Sequence, residues 1–176
     1  MSLVLCVAAS NSAQTPSIMS SGVIENGVSL EFEISSTTYK KNNTITITYE
    51  VQNKRKQSIY LITGEALAPG YDLDKQELSA SLYKFVVSYD FFALPKLKRI
   101  GPGEKHKGEA DLKLDFLSSH FKAGNWFVYL SMGYLDNSGM AQIRADKARF
   151  PQGSAQHFER LQKVIQAGPI KLELIQ

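Results

Sequence analysis

Asp72, Asp74 and Glu77 crowd into one short stretch of a segment, Thr63–Ala80, that also holds Pro69-Gly70. Closely spaced hard oxygen donors are what a calcium ion asks of a loop. Two aspartates and a glutamate at this spacing fall short of a known calcium-loop pattern, and the turn glycine that such a pattern needs is missing. A solvated acidic loop is the simpler reading, so no metal ligand is assigned. The same three carboxylates are instead candidate contacts to a protein partner, together with Phe91 and Phe92. Adjacent residues project to opposite faces of a strand, so at least one of the two rings belongs to the core while the other could form an exposed apolar tip.

Other residues with chemical potential are scattered. His106 lies between Lys105 and Lys107 after a turn, His120 precedes Phe121, and His157 precedes Phe158. Each reads more simply as a solvated residue than as a base or ligand. Glu104, Glu109, Asp111 and Asp115 could offer carboxylate pairs, but the last three fall on the outward side of an alternating strand. Such groups keep ordinary pKa values, unlike those in a cleft. The chain has no Gly-x-Ser-x-Gly, no His-Glu-x-x-His, no paired cysteines and no phosphate-cradling glycine loop. No catalytic residue, cofactor or metal site is therefore assigned, and the expectation is a protein that is not an enzyme. Lys96, Lys98, Arg99, Lys105 and Lys107 flank the turn at Gly101. They could meet phosphates, acidic lipids or an acidic partner, but lysines also keep sheet edges from pairing, and that reading is preferred. Asn42-Asn-Thr44 is a glycosylation sequon, meaningful only in a eukaryotic secretory protein.

These residues are carried by a chain whose apolar positions alternate. Trp126, Val128, Leu130, Met132 and Tyr134 stand two apart, which places them on one face of a strand. Leu30, Phe32 and Ile34 alternate with Glu31, Glu33 and Ser35. Thr44–Gln52 buries Ile45, Ile47, Tyr49 and Val51 against outward Thr44, Thr46, Thr48 and Glu50, nearly all β-branched or aromatic. Ser58–Ile62 resumes as a strand after a charged turn and reads as the antiparallel neighbour of that run. Leu82–Tyr89 and Lys96–Ile100 are further strands. Ala110, Leu112, Leu114 and Phe116 mark another after Gly101-Pro-Gly-Glu104. Thr63–Ala80 reads as a long loop or a short helical excursion and Met140–Gln152 as a weakly patterned loop, and both are candidate recognition surfaces. Ser154 can cap a helix carrying Phe158, Leu161 and Ile165, stopped by Gly168-Pro169. Ile170, Leu172 and Leu174 close the chain as a strand. The expected fold is all-β: an immunoglobulin-like antiparallel β-sandwich of about eight strands with one short helix before the last strand.

The 176 residues suit one elaborated domain, and 43% apolar residues suffice for a core without disulfides, which the single Cys6 could not form. A net charge of +3 argues against a nucleic-acid binder. No run approaches the ~20 apolar residues of a membrane span. Leu3-Val-Leu-Cys-Val-Ala-Ala9 followed by a polar stretch reads as the tail of a secretory signal, cleaved after Ala9; Cys6 also raises a lipid anchor. Residues 1–26 are thus read as a signal-peptide remnant and linker, and 27–176 as the sandwich, exported to the periplasm or cell surface.

Three segments occur together: Thr48-Tyr-Glu-Val-Gln-Asn53, Ile100-Gly-Pro-Gly-Glu104 and Ala123-Gly-Asn-Trp-Phe-Val-Tyr-Leu130. Their order resembles bacterial immunoglobulin-like domains of exported proteins, including the intracellular proteinase inhibitor type, from about Leu30 to Tyr134. The inserted loop and late helix depart from that pattern, and no functional residue is carried over. The expected function is a non-enzymatic exported module that binds an unknown protein partner through sandwich-end loops. The alternative is a proteinase inhibitor that presents one such loop to a protease cleft.

Overall fold

The computed structural model describes residues 19–63, 68–82, 96–114, 122–149 and 160–175. Alternation decides the architecture. Among the described residues, the runs in which apolar and polar residues take turns are strands, and their apolar members face one shared core. The described elements are β1 (Met19–Glu25), β2 (Val28–Ile34), β3 (Thr38–Lys40), β4 (Thr44–Asn53), β5 (Ile59–Ile62), β6 (Ala68–Asp72), β7 (Glu77–Ser81), β8 (Leu97–Ile100), β9 (Lys105–Lys113), β10 (Gly124–Asp136), α1 (Asn137–Arg149) and β11 (Lys163–Ile175).

Two sheets form. One has the order β1-β2-β4-β9 and is antiparallel throughout. The other has the order β3-β11-β10-β5-β8, with β7 also lying against β10 and β6 against β7. Two of its pairings, β7 with β10 and β3 with β11, are parallel. β10 is its axis: thirteen residues, with β11 on one side and β7 then β5 on the other. Trp126, Val128, Leu130, Met132 and Tyr134 all bury against β2 and β4 residues such as Phe32, Ile45 and Ile47. The Trp126 indole donates to the Lys122 carbonyl at 2.8 Å, so its one polar atom is satisfied.

Four expectations are corrected. Met19–Glu25, read as linker, is strand β1, joined to β2 by Asn26-Gly27, both with positive φ. That is the two-residue hairpin turn whose left-handed conformations favour Asn-Gly. Ser58–Ile62 does not pair with β4. β5 joins the other sheet, so the charged turn at residues 54–58 crosses between layers. The Thr63–Ala80 segment is no loop beyond residue 67 but the hairpin β6–β7. The fourth concerns the helix. α1 occupies part of the segment Met140–Gln152, read as loop, and β11 runs straight through Ile165–Gly168, read as helix. The expected helix is present at Arg160 and Leu161, while its part up to residue 159 and the expected strand beyond Leu82 lie outside the described residues.

The helix has a chemical start signal. The Asp136 carboxylate accepts from the Gly139 amide at 3.0 Å and the Ser138 hydroxyl at 2.6 Å, capping the first turn. Met140 and Ile143 then meet Leu135, Ile62 and Leu161 in a small second core on the outer face of the larger sheet. In β11, Ile165 and Ala167 are buried, and so are Ile170, Leu172 and Leu174. Odd and even positions can share a face only if the strand gains a residue between them. It does: Val128 pairs with Ile170 but Leu130 with Ala167, a bulge at Gly168-Pro169.

Asn53, at the end of β4, is fully buried. Its side-chain amide donates to the carbonyls of Gln57, Ile100 and Gly101 at 2.8, 3.0 and 3.1 Å, and its side-chain oxygen accepts from the Arg55 amide at 3.0 Å. Its backbone pairs with Glu104 O and Gly103 N.

Gly168 has a φ of 130°, and a Cβ there would lie 2.8 Å from the Tyr129 ring and 2.9 Å from the Val128 carbonyl. Gly168→Ala should therefore destabilise the fold by about 1–3 kcal/mol in urea denaturation. An unchanged midpoint would mean that the bulge tolerates a side chain.

Candidate functional site

The three carboxylates singled out in the sequence do not converge on an open site. Asp72 ends β6, and its Oδ1 accepts from the amides of Asp74 and Lys75, each at 3.1 Å. Its Oδ2 lies 3.2 Å from the Lys75 ammonium. The Lys75 amide and then the Lys75 side chain hold the Asp72 carboxyl below its ordinary pKa. Glu77 opens β7, where the Tyr129 hydroxyl donates to it at 3.4 Å. Asp72 thus closes the hairpin turn. Among the described residues no three His, Cys, Asp or Glu are grouped to hold a metal ion. Phe91, Phe92, His120, His157 and Asp115 lie outside the described residues.

His106 is half-buried on β9, with Nδ1 3.0 Å from the Lys98 ammonium and its ring set edge-on to Tyr49 at 6.2 Å. Burial, then the Lys98 charge, push its pKa below the usual histidine value. The Nδ1 of a neutral ring accepts a hydrogen bond from the lysine ammonium, so the nitrogen is engaged by a cation instead of a carboxylate. Glu104 folds back on its own turn to accept from the Gly101 amide. Glu109 and Asp111 face solvent on β9, with Asp111 accepting from Thr46 at 2.9 Å. The residues of the basic run are distributed over β8, β9 and the position before β8, and both strands are sheet edges. Lys105 and Lys107 reach Glu50 at 2.6 and 3.4 Å, and Arg99 donates to Ser58 at 3.1 Å. This is the placement expected of edge protection.

The remaining sheet edge differs from these. β1 pairs over all seven residues with β2; no described strand is hydrogen-bonded along its other side, and β11 of the other sheet comes close to it. Its sequence, Met-Ser-Ser-Gly-Val-Ile-Glu, holds no lysine, arginine or proline. By contrast β9 carries three lysines, β8 a lysine and an arginine, β6 a proline, and β3 is three residues long. A long edge without such devices is a template for another strand, because a row of its backbone N–H and C=O groups points outward unpaired.

The register sets what surrounds this edge. Ser20, Gly22 and Ile24 share the outer face of the sheet with their partners Glu33, Glu31 and Ser29. Ile24 is 64% exposed. A shallow groove runs along Ser20–Ile24, with Glu31 and Glu33 as its inner wall. The Glu31 side chain lies across Gly22, where a Cβ would come within 2.8 Å of its Cγ. Glu31 sits directly opposite Glu50, a like-charge pair. Lys105 and Lys107 neutralise Glu50 and hold its pKa low, the Lys105 hydrogen bond contributing most. Among the described residues no hydrogen bond or salt bridge engages Glu31 or Glu33. The sequence reading missed this edge. Its available signal was Asn26-Gly27 just ahead of an alternating run.

Comparison with protein families, with curated proteins and with solved structures gave no match for this chain. Among the described residues no helix is long and apolar enough to cross a membrane.

The strongest ionic cluster lies elsewhere, where β10 meets α1. Asp136 receives the Lys163 ammonium at 2.7 Å, with the Arg55 guanidinium 3.9 Å away. The Lys163 hydrogen bond, then those from Ser138 and Gly139, hold its carboxyl far below the usual range. An unfolded aspartate titrates near 3.9, so this stabilisation is complete above about pH 4 and is lost as the pH falls through the lower folded value. Asp136→Ala should cost about 1–2 kcal/mol at pH 7. The gap from wild type should narrow in urea titrations below about pH 4. A gap that stays constant with pH would show that the charge contributes nothing.

Proposed function

We propose that this chain is a non-enzymatic, exported recognition module that binds a protein partner by accepting an extended segment of it along β1. One observation carries the reading: β1 is long, exposed and free of charge-based or proline protection, while the other described edges have such protection or are too short. Strand addition draws affinity from main-chain hydrogen bonds and specificity from alternate side chains. The turn at Asp72–Glu77 is a poorer candidate, since its first carboxylate is engaged in closing the turn. An immunoglobulin-like connectivity of the sandwich and an address in the periplasm or at the cell surface belong to the same proposal. The second rests on the apolar run Leu3–Ala9.

The test is a displayed library of random heptapeptides selected on the whole chain, followed by backbone N-methylation of the selected peptide. In a strand, successive N–H groups point to opposite edges. Methylating the alternate set that faces β1 should weaken binding at least about tenfold, and the other set less than about threefold. Equal effects from both sets would rule out strand addition. Stoichiometric inhibition in a protease panel would replace this reading with that of an inhibitor.

A further inference from the structure

The incoming segment has a definite chemistry, and the inference rests on strand addition at β1. We infer that the partner strand is basic: it carries lysine or arginine at two positions, two residues apart, and an apolar side chain at the next position on the same face.

The register supplies the reasons. A strand laid beside β1 places every second side chain on the outer face, next to Ser20, Gly22 and Ile24. Behind Ser20 and Gly22 stand Glu33 and Glu31, two carboxylates with no hydrogen bond or salt bridge among the described residues. Two strand spacings, about 10 Å, separate the backbone of the incoming strand from that of β2. A glutamate and a lysine or arginine reaching toward each other span that gap. Only a serine and a glycine lie between them, so no bulky side chain intervenes. Glu31 already leans across Gly22 toward the edge. The third outer position faces Ile24, an exposed aliphatic side chain that an apolar partner residue would cover.

The neighbouring charges strengthen the choice. Glu50, the next carboxylate inward, is already satisfied by Lys105 and Lys107, and Lys105 also feels the charge of Glu31. Those lysines sit on the far edge of the sheet, on β9. Among the described residues no cation is paired with Glu31 or Glu33, since Lys105 bonds to Glu50 and reaches Glu31 only through its field, and an acidic strand would meet repulsion there. A second copy of this chain fits less well: its own β1 offers no cation, and Glu25 is its only charge.

The experiment uses fluorescein-labelled heptapeptides in fluorescence anisotropy with the whole chain. Antiparallel docking calls for Thr-Val-Thr-Arg-Thr-Lys-Thr and parallel docking for Thr-Lys-Thr-Arg-Thr-Val-Thr, so both are measured. One of them should bind, and replacing its two cations by glutamate should weaken it at least about tenfold. The double variant E31Q/E33Q should lose a comparable factor and flatten the salt dependence. Its urea midpoint, read in parallel, should not fall below that of the wild type, because among the described residues neither carboxylate forms a hydrogen bond or salt bridge and Glu31 faces the like charge of Glu50. If the glutamate peptide binds as tightly, or E31Q/E33Q leaves affinity unchanged, the basic class is overturned while strand addition stands, provided that the N-methylation pattern persists. If the chain instead self-associates in sedimentation and I24K abolishes it, a second copy is the occupant and the inference falls. If no extended peptide shows the alternate N-methylation pattern, the reading of β1 as a docking edge fails as well.

Discussion

Asn53 occupies the place where the chain changes sheets. β4 ends there in the four-stranded sheet and β5 begins in the other, while β8 leaves the larger sheet and β9 enters the smaller one a few ångströms away. Both crossings are short, and their carbonyls turn inward because there is no ladder left to pair them. A buried carbonyl without a partner costs about 1–3 kcal/mol. One carboxamide meets three of them and accepts an amide in return, so the two crossings are fastened to each other instead of to water. The Lys54 amide adds the β1–β2 turn to the same knot by donating to the Gly27 carbonyl at 2.8 Å. Glu104 holds the neighbouring turn from its own side.

This fastening determines which edges of the sandwich remain exposed. With β8 and β9 joined by a turn fixed at Asn53, both carry the lysines and arginine that discourage further pairing. The hairpin β1–β2 hangs from the same end, with its outer strand unprotected. Negative charge is also distributed unequally across that sheet. At Glu50 it is matched by the β9 lysines, whereas among the described residues no salt bridge engages Glu31, Glu33, Glu109 or Asp111. The sheet therefore has one edge strand that carries lysines, β9, and one that carries none, β1.

Much of this was legible in advance. β2, β4, β9 and β10 were read correctly because each has one dry and one wet face, and a two-residue period is unambiguous there. Where periodicity did not specify structure, the reading failed for separate reasons. In β11 the phase slips at Gly168, and Ile165 falls into step with the helical Leu161, so that the stripe reads as continuing into what is strand. Among its described side chains α1 anchors itself through Met140 and Ile143, too few for a periodic signal. β1 holds only Met19, Val23 and Ile24 as apolar residues, and they do not alternate. A polar turn between β4 and β5 says that the chain reverses but not which layer it joins. The carboxylates of the Asp72 turn looked like a site because sequence does not show which hydrogen bonds a turn uses. Asn53 was visible only as the end of a strand, since its partners at Ile100 and Gly101 are far away in the chain.

The account therefore turns on whether a single buried amide holds the two layers in register. Equilibrium urea unfolding of Asn53→Ala, followed by amide hydrogen exchange, tests it most directly. The account predicts a loss of at least about 2 kcal/mol, with faster exchange at the Arg55, Gly103 and Glu104 amides even in the folded population. A variant with the wild-type midpoint and unchanged protection at those three amides would contradict it.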